Sequence, residues 1–167
     1  MEIRPEKPAD TAAVRRVNEA AFGQPNEADL VDRLRERAAP YLALVAVDEG
    51  AVVGHIVFSP LSFDSPQPGL TAFGLAPMAV LPTHQRQGIG SALIRAGLDA
   101  CRTAGADAVF VLGHPTYYPR FGFEPAADYG IESEYDAPPE AFMVTELTPG
   151  ALDGVTGTAR YHPAFAE

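Results

Sequence analysis

The chain has 167 residues, 47% apolar and 20% charged, with one cysteine and no tryptophan, which predicts a single domain over residues 1–167. One cysteine excludes an internal disulfide framework and a multi-cysteine zinc site. No stretch approaches the roughly 20 apolar residues of a membrane helix, and residues 1–7 lack the apolar core of a signal peptide, so the expectation is a cytoplasmic protein with no membrane partner and no metal. Twelve Lys and Arg against 22 Asp and Glu give a net charge of −10, which opposes nucleic-acid binding.

In chain order, residues 2–4 suit a short strand, and Pro8 with Asp10 as N-cap introduces a helix reaching Phe22. A second helix begins near Asn26 or Glu27. Residues 42–47 and 51–58 flank Asp48-Glu49-Gly50 and read as a hairpin. The segment 59–69, with Pro60, Pro66, Pro68 and Gly69, reads as a loop. A strand over 72–80 is interrupted by Pro77, which predicts an edge or a bulge. A helix from Gly88 to Ala104 places Leu93, Ile94, Leu98 and Cys101 on one face. Residues 108–112 read as a strand buried on both faces. A short helix around 117–121 and a strand around 142–147 follow. Residues 148–167 read as irregular backbone that packs on this domain or on a partner subunit. The fold class is α/β (α+β), one mixed sheet covered by helices.

Charge along the chain is uneven. Asp128, Glu132, Glu134, Asp136 and Glu140 occur with no Lys or Arg between them. Bordering a site they would favour a cationic substrate; otherwise they are a solvated loop.

Gln85-Arg86-Gln87-Gly88-Ile89-Gly90-Ser91 lies between a strand and a helix. Helix N-termini expose unpaired N–H groups and the positive end of the macrodipole, and glycine lets backbone approach a ligand. Such a turn holds a pyrophosphate, or serves as a tight connection. A P-loop is excluded because no Gly-Lys-Ser/Thr occurs. A dinucleotide fingerprint needs a small residue where Leu93 stands.

The segment 85–90 matches the Gln/Arg-x-x-Gly-x-Gly/Ala motif of the GCN5-related N-acetyltransferase (GNAT) family, and Tyr118-Pro119-Arg120-Phe121-Gly122-Phe123 is similar to its second motif, Tyr-x-x-x-Gly-Phe. Ala76-Pro77-Met78-Ala79-Val80-Leu81-Pro82 looks like its central strand. The resemblance is sharp from about Leu75 to Phe123. It implies a mostly antiparallel sheet with a central splayed strand pair, acetyl-CoA as cosubstrate, and a small-molecule or peptide amine as acceptor, with a homodimer among the assemblies seen in the family. It also implies that the backbone of Met78, Ala79 and Val80 pairs with the pantetheine arm. Arg86, Gln87, Gly88, Ile89, Gly90 and Ser91, with Gln85 beside them, would cradle the pyrophosphate. Tyr118 aligns with the tyrosine the family often uses as general acid at the sulfur, while Tyr117 reads as structural.

His114 follows the strand 108–112 and is the candidate general base; a structural turn histidine is the alternative. His55 and His84 read as packing or hydrogen-bonded groups. Gly113-His114-Pro115-Thr116 departs from the family in lacking an asparagine, so Thr116 or His114 would have to substitute for it. Cys101 reads as a buried small residue rather than a nucleophile. The expected activity is direct transfer of acetyl from acetyl-CoA to a primary amine, with the amine seated between the N-terminal helices, segment 59–69 and the acidic segment 128–140. The other readings are a non-catalytic CoA-binding or regulatory module of the same fold and, less well matched, a nucleotide-binding oxidoreductase.

Overall fold

The computed structural model describes residues 1–167. Its strands are β1 (Glu2–Pro5), β2 (Leu42–Asp48), β3 (Ala51–Pro60), β4 (Ser62–Phe63), β5 (Ala72–Val80), β6 (Ala108–Leu112), β7 (Glu124–Pro125), β8 (Ile131–Ser133), β9 (Phe142–Glu146) and β10 (Gly157–Arg160). The helices are α1 (Thr11–Phe22), α2 (Asn26–Arg37) and α3 (Ile89–Thr103). Seven strands form one sheet in the order β1-β2-β3-β5-β6-β9-β7, and β4-β10-β8 form a second. In the large sheet only β5 and β6 run parallel, joined through α3. The mixed, mostly antiparallel sheet expected from the sequence is therefore present. No helix is long and apolar enough to cross a membrane.

Side-chain alternation along the strands divides the core. Phe58, Val109 and Val111 face α3 with Leu93, Ile94 and Cys101. Val45 and Val57 meet α1 and α2 through Val14, Val31 and Leu34. Each fully buried Leu, Ile or Phe contributes roughly 1.5–3 kcal/mol relative to exposure. Phe110 and Phe142 stack at 5.6 Å between centroids, in a third cluster that includes Leu152, Val155 and Tyr161.

Three expectations change. Asp10 gives no side-chain cap to α1; its carboxylate accepts from Arg4 at 2.8 and 3.0 Å and from the Lys7 amide at 2.7 Å. The segment 59–69 contains the end of β3 and all of β4, which pairs with β10. Residues 148–167, read as irregular backbone, contain β10 and a final 3-10 turn, Pro163–Ala166, and of the two packing alternatives they take this domain, with Leu152, Val155, Ala159 and Tyr161 buried. Strands of two to four residues have too few positions to show alternation, so pairing with distant segments decides them.

The α1–α2 face also buries a polar network. Asn18 Nδ2 donates to His55 Nδ1 at 3.2 Å, which places the ring proton on Nε2, 2.6 Å from Glu6 Oε1. Tyr41 donates to the same oxygen at 2.9 Å and Arg35 Nε to Glu6 Oε2 at 2.9 Å. Burial alone would raise the Glu6 pKa. The hydrogen bonds from His55 and Arg35, together with the Arg35 charge, outweigh it and hold the carboxyl at about 2.

Candidate active site

Strands β5 and β6 part company in the middle of the sheet. Their pairing runs from Ala72–Ala108 to Leu75–Val111 and stops. Beyond it β5 continues to Val80 with β3 as its only neighbour, through Met78–Ile56, Ala79–His55 and Val80–Gly54. The backbone of residues 76–80 thus has no strand on its β6 side. Pro77 sits in the β3–β5 register shift between Ile56 and Phe58. Although β5 is central, a residue without an N–H is tolerated here because the ladder toward β6 has already ended.

Two clefts open along this split. The first, about 470 Å³, is lined by Val80, by His84, Gln85, Arg86, Gly88, Ile89, Gly90 and Ser91 of the turn, and by Tyr117 and Arg120. Arg86 (φ 62°) and Gly88 (φ 84°) are left-handed, and alternating hand is the geometry by which successive N–H groups converge on an anion. Gly88 is the N-cap of α3, whose first-turn amides open onto the same cleft. No carboxylate lines this cleft, whereas Arg86 and Arg120 do. A chain of net charge −10 therefore presents a locally cationic site fitted to a phosphate-bearing ligand.

The second cleft, about 330 Å³, is lined by Leu75, Ala76, Pro77, Met78, Val111, Leu112 and Tyr118, with Phe22 of α1 and Glu27 and Leu30 of α2. Met78 lines this cleft and Val80 the first, so one strand links the two. Ala79 is buried and lines neither; only its backbone lies along the split.

Tyr118 closes the second cleft. It is 8% exposed and packs edge-on to Tyr117 and Phe123 at 5.2 and 5.7 Å. Burial first, then the neighbouring Tyr117, pushes its phenol up to about 12, so it stays protonated at neutral pH. Gly113 makes room for this ring: a Cβ there would lie 2.4 Å from it.

The remaining candidates divide. Gln85 Nε2 donates to the Val80 carbonyl at 3.0 Å, bracing the end of β5 against the turn. Gln87 does not line the cleft; its amide donates to the Thr83 carbonyl at 3.4 Å. His114 is exposed and its ring lines neither cleft, while its carbonyl accepts from the amides of Tyr117 and Tyr118. Cys101 is fully buried on α3, where burial raises its thiol to about 12. Neither segment 59–69 nor the acidic segment 128–140 reaches the second cleft. In the acidic segment, Glu134 accepts from the Tyr161 amide at 2.6 Å.

Tyr117 is the main residue the sequence reading misplaced. Its hydroxyl lies 3.0 Å from Ser91 Oγ in the first cleft, and Arg120 stands 5.4 Å over its ring. The expected helix at 117–121 is one tight 3-10 turn, Tyr118–Phe121. Successive side chains of such a turn diverge, so burying Tyr118 turns Tyr117 to the cleft.

A family model for the acetyltransferase (GNAT) domain matches residues 2–126. The chain belongs to the GNAT family. Its GNAT relatives in Escherichia coli include two uncharacterized N-acetyltransferases. YjhQ is 44% identical over 146 residues, covering 84% of this chain and 81% of that protein. YhbS is 40% identical over 166 residues, covering 99% and 98%. The solved structure of Escherichia coli YhbS in complex with CoA superposes with a TM-score of 0.91 at 37% identity, covering 99% of this chain and 92% of that one. A GNAT acetyltransferase of Brucella melitensis in complex with acetyl-CoA gives 0.78 at 39% identity, with 98% and 97% covered. The GNAT fold and family expected from residues 75–123 are borne out, and the dinucleotide-binding alternative falls away. No group of three or more His, Cys, Asp or Glu side chains is placed to hold a metal ion.

Proposed function

We propose that this N-acetyltransferase binds acetyl-CoA along the β5/β6 split and transfers the acetyl group directly to a primary amine. The observation that carries the reading is the split itself, which connects a cationic turn to an apolar cleft closed by Tyr118. The pyrophosphate takes the amides around Arg86–Ser91, with Arg120 and the Tyr117–Ser91 pair at its edge. The pantetheine arm lies along the unpaired backbone of Met78–Val80 as an added strand, and the thioester reaches Tyr118.

Transfer then needs an uncharged amine and a proton for the departing sulfur. The amine nitrogen bonds to the acetyl carbon, the carbon–sulfur bond breaks, and the nitrogen gives its extra proton to solvent. Tyr118 hydrogen-bonds the developing thiolate, gives it a proton and takes one back from solvent. His114 has no part in this step, because its ring lies outside both clefts. Direct transfer also fits a Cys101 thiol too buried and too weakly acidic to form an acyl-enzyme.

Parallel calorimetric titrations with acetyl-CoA, CoA and NAD test the cofactor half, and thiol release in the presence of amines tests the transfer half. The expected result is micromolar binding of both CoA forms, none of NAD, and one thiol released per acetylated amine. CoA binding with no transfer to any amine would favour a non-catalytic CoA-binding module.

A further inference from the structure

The apolar cleft beside Tyr118 restricts what the acceptor can be, an argument that rests on the N-acetyltransferase reading. Net charge alone favours a polycation. The cleft does not: Phe22, Leu30, Pro77 and Leu112 are apolar, and Glu27 is its one charged side chain. Only four large hydrophobic residues are exposed in the chain, and two of them, Phe22 at 40% and Leu112 at 37%, line this cleft. Apolar side chains left open around a cleft of about 330 Å³ are surface that the hydrocarbon of a small ligand would cover.

Charge narrows the class further. A polyamine or aminoglycoside would bury several ammonium groups against a single carboxylate and leave the rest desolvated and unpaired. A free amino acid would bring a carboxylate, and no Arg, Lys or His lines the cleft to meet it. Glu27, in the first turn of α2, is half-buried, and its two oxygens accept from Gln24 Nε2 at 3.0 and 3.2 Å. Each oxygen keeps a further acceptor position for an ammonium N–H.

We infer that the acceptor is a primary monoamine carried on an apolar body, an arylalkyl or alkyl amine. Its hydrocarbon part packs on Phe22, Leu30 and Leu112, and Glu27 draws the ammonium toward the thioester. Glu27 is a positioning residue: it gathers the amine, and the proton is lost to solvent before attack.

The test compares phenethylamine, phenylalanine and spermidine, three primary amines that differ in the features the cleft discriminates. Thiol release gives kcat and KM for each, and calorimetry gives binding to the CoA-loaded protein. Phenethylamine should show the highest kcat/KM, with phenylalanine and spermidine each at least about tenfold lower, the effect of one unpaired charge. Glu27→Gln should raise the KM for phenethylamine about tenfold, with kcat within about threefold and acetyl-CoA affinity unchanged. Phe22→Ala should raise the same KM and leave acetyl-CoA binding intact. A preference for spermidine or phenylalanine, or an unchanged KM in Glu27→Gln, would overturn the inference while leaving the transferase reading standing. Phenethylamine that binds the CoA complex but is not acetylated, with the other amines also inert, would instead overturn the transferase reading. Absence of both binding and transfer would overturn the inference.

Discussion

The hydroxyls of Tyr117 and Ser91 stand 3.0 Å apart and tie the turn after β6 to the first turn of α3. The two residues are 26 positions apart in sequence, and both line the cationic cleft. Tyr117→Phe removes this hydrogen bond but keeps the ring under Arg120. One such bond contributes about 0.5–1.5 kcal/mol, so CoA should bind about 3–10-fold more weakly with kcat nearly unchanged. Titration calorimetry beside steady-state kinetics measures both quantities.

Tyr118→Phe separates chemistry from binding. The ring still fills the site against Phe123, while the proton donor is gone. Loss of a general acid costs about 10²–10⁴-fold, so kcat should fall by that amount with CoA affinity unchanged. The pH profile carries a second expectation. With the Tyr118 phenol at about 12, its proton is retained throughout the neutral and mildly alkaline range. Its ionisation should therefore cause no fall in kcat below about pH 11, where an ordinary tyrosine near 10 would. An alkaline fall centred near 10 and absent in Tyr118→Phe would contradict the assignment.

Gly113→Ala reaches the same phenol from behind. The added methyl would sit 2.4 Å from the Tyr118 ring, which must then move. Overpacking of this kind costs about 1–3 kcal/mol, and a displaced catalytic group lowers turnover. A lower melting temperature together with a kcat reduced at least about tenfold is expected, with CoA binding retained by the turn at 86–91.

Acid stability should follow Glu6. Its folded pKa of about 2 lies below the ordinary 4.5, so the folded state favours the ionised form. The stabilisation is complete above pH 4.5, and it is lost as pH falls toward 2, amounting to up to about 3 kcal/mol. Wild-type unfolding free energy should drop through this window, and Glu6→Gln should flatten that dependence. The same substitution should destabilise the protein at pH 7 by about 2–3 kcal/mol, because His55, Arg35 and Tyr41 lose a charged acceptor. Denaturant titrations at several pH values check both statements.

The βαβ unit of β5, α3 and β6 is legible in the sequence because its elements are long and their apolar periods are strong. The cationic turn is legible because Gly88 and Gly90 follow Arg86 at the start of a helix. The apolar cleft is not. Phe22, Pro77 and Leu112 each read as ordinary apolar positions of separate elements, and only the folded chain gathers them around Tyr118. The acidic segment misdirects for the same reason: Glu134 is spent on the Tyr161 amide, and none of its neighbours lines the cleft. Strands β7, β8 and β10 exist through pairing to distant partners, which no local pattern announces.

Amide hydrogen exchange with and without acetyl-CoA tests the central claim most directly, because it reads the backbone said to hold the cofactor. Protection should rise along residues 78–80 and 86–91, with no change at 128–140. Protection confined to other segments, with β5 beyond Leu75 exchanging as before, would contradict binding in the split between β5 and β6.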